Sequence, residues 1–102
     1  MNPIVSRCKS LLQAHYGRKF QGMILYGSAA RKKLGSESDI DLLVLLKKPF
    51  DYFRELRKLT DLLYTLQLEC PRLISARPAY MDEYKRGVIQ LYRNIQREGV
   101  LV

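Results

Sequence analysis

The chain has no apolar run near the ~20 residues that cross a membrane as a helix. Its start, MNPIVSRCKS, lacks the continuous apolar stretch and small-residue cleavage site of a secretory signal. These absences predict a cytoplasmic protein without membrane association. Cysteine is scarce: Cys8 and Cys70 stand alone, at a spacing that suits no zinc pattern. In a reducing compartment both are expected as free thiols and ordinary small core residues. The one histidine, His15, falls near the end of the first predicted helix. It reads as a surface residue complementing the helix dipole rather than as a base. No internal repeat, low-complexity tract or linker divides the 102 residues, which predicts one domain over 1–102.

Acidic residues are also few. Asp and Glu total 10 against 18 Lys and Arg, for a net charge of +8. That balance attracts polyanions or an acidic protein face, and it helps offset the charge of a nucleotide. The basic residues are scattered, from Arg31-Lys32-Lys33 through Lys47-Lys48 to Arg93 and Arg97, with no single basic arm. A solvated surface accounts for each pair taken alone.

The apolar residues that are present are well patterned. Ile4, Cys8 and Leu11 follow helical spacing between Asn2 and Tyr16, with Pro3 at a first-turn position and Gly17 as the stop. Phe20 to Tyr26 reads as a short strand, and Ala29 to Leu34 as a short helix ended by Gly35. Asp39 to Leu46, DIDLLVLL, is apolar on both faces after Asp41, as in a central strand covered on both sides. From Asp51 to about Leu66, residues Tyr52, Phe53, Leu56, Leu59, Leu62, Leu63 and Leu66 form one helical stripe. Pro71 to Arg77 is a weaker strand, residues 80–86 a helical turn, and Val88 to Glu98 a last helix. This order predicts an α/β (α+β) domain, a small mixed sheet flanked by helices.

Chemistry concentrates in LYGSAARKKLGSESDIDLLVLL, residues Leu25 to Leu46. In a strand, residues i and i+2 point the same way, so Asp39 and Asp41 share a face, with Cα atoms ~6.5–7 Å apart. Two close carboxylates repel, and a divalent cation removes that conflict. Oxygen ligands suit Mg²⁺ or Mn²⁺, with phosphate oxygens completing the shell. A pair of such ions ~3.5–4 Å apart can clamp an in-line phosphoryl or nucleotidyl displacement. Gly27-Ser28 supplies the complementary part: a glycine for close backbone approach, a hydroxyl, and the free N–H groups of a helix start. Arg31, about one turn on, can reach a triphosphate.

The segment thus reads Gly-Ser, ten residues (Ala29 to Ser38), then Asp-x-Asp. This pattern resembles the nucleotidyltransferase superfamily related to DNA polymerase beta, and within it the minimal nucleotidyltransferase (MNT) proteins. The resemblance rests on Gly27, Ser28, Ala30, Arg31 and the run Ser38 to Val44. It extends through ARPAYMDEYKRG and LYRNIQREGVLV to the C-terminal helix. It implies the polymerase beta-like fold, Mg²⁺ and ATP as cofactor and substrate, and transfer of a nucleoside monophosphate with release of pyrophosphate. By position, Gly27 and Ser28 would hold the β- and γ-phosphates, and Asp39 and Asp41 would ligate the metals. MNT proteins are often paired with a HEPN-family toxin, a ribonuclease, as hetero-oligomeric antitoxins that attach AMP to a toxin tyrosine.

Active members usually carry a third carboxylate on the strand after the central helix. The predicted strand PRLISAR has none; Glu69, just before it, is the candidate, against the alternative of a solvent-exposed loop glutamate. Lys32 also stands where the family commonly has a glycine. The expected function is therefore an AMP-transferring antitoxin. Its alternatives are an antitoxin that acts by contact alone, or an enzyme subunit acting on RNA or a small molecule, with nucleic acid a minor option.

Overall fold

The computed structural model describes residues 3–27 and 39–102. The helix expected over 29–34, together with Ser28 and Arg31, lies outside the described residues. Helix α1 spans Pro3–Tyr16 and a single 3-10 turn, Gly17–Lys19, leads into strand β1, Phe20–Tyr26. Strand β2 is Ile40–Leu46, helix α2 Tyr52–Leu68, strand β3 Ile74–Tyr80 and helix α3 Met81–Arg86. Helix α4, Gln90–Glu98, and a two-residue strand β4, Val100–Leu101, complete the chain. The sheet runs β3-β2-β1-β4; β2 is parallel to β3, and β1 is antiparallel to both β2 and β4. This is the mixed sheet flanked by helices that the sequence pattern predicts.

The central strand decides the layering, because its side chains alternate between two cores. Ile40, Leu42, Val44 and Leu46 face α1 and α2, meeting Val5, Cys8 and Leu12 from one helix and Leu59, Leu63 and Leu66 from the other. Leu43 and Leu45 face the other way, onto Tyr92 and Ile95 of α4. The double burial expected from DIDLLVLL is thus present. Gly99 ends α4 where the chain must turn close to β1: an added Cβ there would stand 2.6 Å from Cγ2 of Ile24. The turn delivers Val100 and Leu101 to the β1 edge, and the Val102 N–H then donates to the Met23 carbonyl at 3.0 Å.

Several boundaries differ from the sequence pattern, among them the start of α4, at Gln90 rather than Val88. Strand β3 begins at Ile74 and continues through Pro78 to Tyr80, three residues later than expected at each end. Gln67 explains the late start. Its amide donates to the Arg72 carbonyl at 2.9 Å and accepts from the Ile74 N–H at 2.7 Å, so a side chain holds the segment before the strand. The late end follows from β3 being an edge strand, where a proline's missing N–H removes no ladder bond on the open side. Helix α2 runs to Leu68, and Asp51 is its N-cap, accepting from the Arg54 N–H at 3.0 Å. Its stripe also differs: Phe53 is 77 % exposed, while Glu55 is only 9 % exposed.

The buried Glu55 is matched rather than stranded. The Tyr16 hydroxyl donates to Oε2 at 2.6 Å, and Lys58 Nζ lies 3.5 Å from Oε1. Burial, then the hydrogen bond and charge of Glu55, raise the Tyr16 phenol well above its ordinary pKa. Tyr16→Phe leaves this carboxylate with Lys58 alone. The expected loss is about 1–2 kcal/mol in urea unfolding, the usual penalty for an under-satisfied buried acceptor. The two cysteines are free thiols, as expected. Burial, with Cys70 adding to it, pushes the Cys8 thiol up to about 11, which suits an inert core residue.

Candidate active site

The site is assembled at the N-terminal end of β2. Asp39 immediately precedes the strand and Asp41 is its second residue. Asp41 is two residues before Leu43, so it belongs to the α4 face of the sheet. Neighbouring strands complete the row: Tyr26 of β1 is its antiparallel partner and Ser75 of β3 its parallel partner. One step along the same face, Ile24 and Arg77 flank Leu43. Helix α4 covers the middle of this face. A hollow of about 200 Å³ remains at its margin, between Tyr26 and Gly27 on one side and Leu91, Asn94 and Glu98 on the other.

Gly27 is required by two separate features. Its φ of +71° lies in the left-handed region. An added Cβ would also be driven into the Asp41 carboxylate, with Cγ at 3.3 Å and Oδ2 nearer still. Glycine therefore lets the chain leave β1 directly beside Asp41.

The electrostatics suit a cation. Asp41 is half-buried, and its pKa is raised, first by burial and then by the charge of Asp39. Arg77 opposes that shift from β3. The Tyr26 phenol is raised by burial; Arg77 lowers it and Asp41 raises it. A carboxylate pushed toward protonation by burial and by a neighbouring like charge is one whose repulsion a divalent oxygen-seeking ion relieves. Asp39 and Asp41 are the oxygen donors that such an ion would meet here.

Glu69 is placed elsewhere. It is the C-cap of α2, and its Oε2 lies 2.8 Å from Nη2 of Arg7 on α1. Both helices belong to the layer opposite Asp41. The arrangement brings Glu69 to Arg7 and not to the acidic pair, because the chain crosses from one layer to the sheet after it. It behaves as the exposed glutamate that was the alternative. Among the described residues, no group of three or more His, Cys, Asp or Glu is arranged to hold a metal.

Sequence reasoning missed Ser75 and Arg77. The signal was present in ISARPAY: Ala76 faces α2 while Ala79 faces α4, so Ser75 and Arg77 alternate onto the face of Asp41. The expected strand held both residues; the register against β2 that sets Ser75 beside Asp41 is what the sequence leaves open. The other tempting basic pair is accounted for locally. Arg93 donates to the Gly87 carbonyl at 2.6 Å and to Gln90 at 2.8 Å, and Arg97 to Asn94 at 2.6 Å.

A strand ending at a left-handed glycine, a central strand opening with paired carboxylates, and a helix over the same face define a nucleotidyltransferase fold. The chain belongs to the polymerase beta nucleotidyltransferase family, whose model matches residues 7–102. Its fold is similar to that of a proposed nucleotidyltransferase from Sulfolobus solfataricus, with a TM-score of 0.62 at 17% identity, covering 96% of this chain and 75% of that one. It is also similar to a chain of a mutant MntA-HpeT toxin–antitoxin, with a TM-score of 0.64 at 17% identity, over 100% of this chain and 72% of that one. A chain of a toxin–antitoxin with AMP-PNP aligns with a TM-score of 0.52 at 16% identity, over 93% and 69% of the two chains. Comparison with curated proteins gives no match. Among the described residues, no helix is long and apolar enough to cross a membrane.

Proposed function

We propose that this protein is an antitoxin that transfers AMP from ATP to a tyrosine of a HEPN-family toxin in the cytoplasm. The observation that carries the reading is Asp41, packed beside Gly27 with the charge of Asp39 acting on it, within a chain of nucleotidyltransferase family membership. Similarity in fold to toxin–antitoxin chains, one of them with AMP-PNP, supports the partner and the nucleotide.

In this reading Asp39 and Asp41 hold Mg²⁺ or Mn²⁺, which when bound neutralises charge on the triphosphate. Gly27 lets the backbone approach the phosphates, and Ser28 and Arg31 contribute a hydroxyl and a guanidinium to them. The tyrosine hydroxyl gives its proton to solvent water as its oxygen bonds to the α-phosphorus, the bond from that phosphorus to the bridging oxygen breaks, and pyrophosphate leaves with the electron pair. The whole of residues 1–102 acts as one domain, with the toxin supplying the acceptor. Glu69, held by Arg7, has no part in the step.

A second reading has one observation in its favour. Ser75 and Arg77 occupy the β3 positions that face the acidic pair, where an active member usually has a carboxylate. Such a site can keep nucleotide binding while its chemistry is weak, leaving neutralisation by contact. Label transfer from α-phosphate-labelled ATP, with Mg²⁺ and the protein that co-purifies from the native cell, separates the two. The proposal expects label on that partner, lost with Asp41→Asn. Saturable ATP binding without label on any protein would establish the contact reading instead.

A further inference from the structure

The face that carries Asp41 also carries a cation of the protein's own. β2 and β3 run parallel in a register that sets Ser75 beside Asp41 and Arg77 beside Leu43. Arg77 is thus the diagonal neighbour of Asp41, and it is exposed, while the alternation that buries Ala79 against α4 turns it to the same side. Its charge reaches both Asp41 and Tyr26, and Tyr26 lines the hollow by Gly27. A two-ion site needs carboxylates on more than one side of the ions. Here the β3 side offers a hydroxyl and a guanidinium.

We infer that Arg77 takes the place of one divalent cation: it grips the triphosphate directly and leaves the acidic pair to bind a single metal ion. The inference rests on the nucleotide-site reading above and deepens it. A guanidinium presents several fixed donors that match phosphate oxygens, and it keeps its charge at any physiological pH. It also repels a cation approaching Asp41 from the β3 side. The two effects have opposite signs. Arg77 strengthens the hold on ATP when no metal is present, and it weakens the hold on metal when no nucleotide is present. A residue that merely supports the fold would shift both in the same direction.

The test uses the full chain and Arg77→Gln, with Arg77→Lys as the charge-retaining control. Mn²⁺ binding without nucleotide is followed by the electron paramagnetic resonance of free Mn²⁺, and ATP binding in EDTA by calorimetry. Arg77→Gln is expected to tighten Mn²⁺ roughly three- to tenfold, by removal of a positive charge within about two strand positions. The same variant is expected to weaken metal-free ATP binding roughly tenfold, the worth of a charge-assisted phosphate contact. Arg77→Lys should return Mn²⁺ affinity toward that of the wild type while recovering only part of the ATP affinity. Unchanged affinities in Arg77→Gln, or a loss of both, would overturn the assignment while leaving the nucleotide site in place. A wild-type protein that binds neither Mn²⁺ nor ATP overturns the site reading itself, and the role of Arg77 with it.

Discussion

Asp41→Asn is expected to abolish nucleotidyl transfer and, in metal-free buffer, to make the protein more stable. Both outcomes follow from one cause. Asp41 holds a half-buried charge beside the charge of Asp39, and the fold disfavours its ionised form. When a divalent ion is bound, that excess charge becomes a ligand; without the ion it is a liability. Replacing the carboxylate with an amide of the same shape removes the liability and the ligand together. Transfer should fall by at least about 10³-fold, the scale on which metal stabilisation of a displacement operates. The melting temperature in EDTA near pH 7 should rise by about 2–4 °C, corresponding to ~0.5 kcal/mol for a partly solvated repulsion.

The pH dependence has a definite sign. The folded-state pKa of Asp41 lies above its ordinary value of 3.8, so the folded protein binds this proton more tightly than the unfolded chain does. The stability contributed by protonated Asp41 is present at low pH and is lost as pH rises through the raised pKa. The variant, with nothing to titrate there, does not lose it. Its advantage over the wild type should therefore be full near neutrality and shrink as pH is lowered toward that pKa. Differential scanning calorimetry of both proteins across the acid range reads the difference directly. A variant that is less stable than the wild type at every pH would contradict the electrostatic account of the site.

The second large effect is expected at Gly27. Gly27→Ala meets two obstacles, a left-handed backbone and the carboxylate of Asp41 in the path of its Cβ. The backbone term alone costs about 1–2 kcal/mol for a residue with a Cβ. The steric term falls on the functional group, since the atom that must move is the Asp41 oxygen. Affinity for Mg²⁺-ATP should drop at least about tenfold, because a displaced ligand carboxylate forfeits more than 1.4 kcal/mol. Gly27→Asn separates the two contributions. Asparagine tolerates left-handed backbone better than alanine, so urea unfolding should show stability partly recovered. Its Cβ still meets Asp41, so nucleotide affinity should remain low. Recovery of both in Gly27→Asn would mean that backbone strain alone explains the glycine.

How much of this was legible beforehand depended on whether a feature was local. The double burial of β2 was written in consecutive apolar residues, and the place of Asp41 on the α4 face follows from strand alternation alone. Strand β1 matched its expected bounds, Phe20–Tyr26, because Gly27 must end it. Strand β3 was harder, since its limits depend on partners distant in sequence. Gln67 holds the segment before it, and its edge position lets Pro78 stay within it. The register against β2, which sets Ser75 beside Asp41 and Arg77 beside Leu43, was likewise a matter of distant partners. Glu69 was drawn toward the site by sequence proximity to that strand, but α2 ends in the opposite layer, where Arg7 holds it. Glu55 is buried although it has no part in the apolar stripe of α2. Its reason for burial, Tyr16, lies 39 residues away. Strand β4, at two residues, is too short for any period to reveal.

The most direct test of the central claim, that Asp39 and Asp41 join a metal ion to a nucleotide, is ATP binding measured by calorimetry with Mg²⁺ and with EDTA, for the wild type and for Asp41→Asn. The account predicts that Mg²⁺ tightens binding to the wild type and gives no such gain in the variant, whose fold is intact. Equal gains from Mg²⁺ in the two proteins would contradict it, because the metal would then be held by something other than the acidic pair.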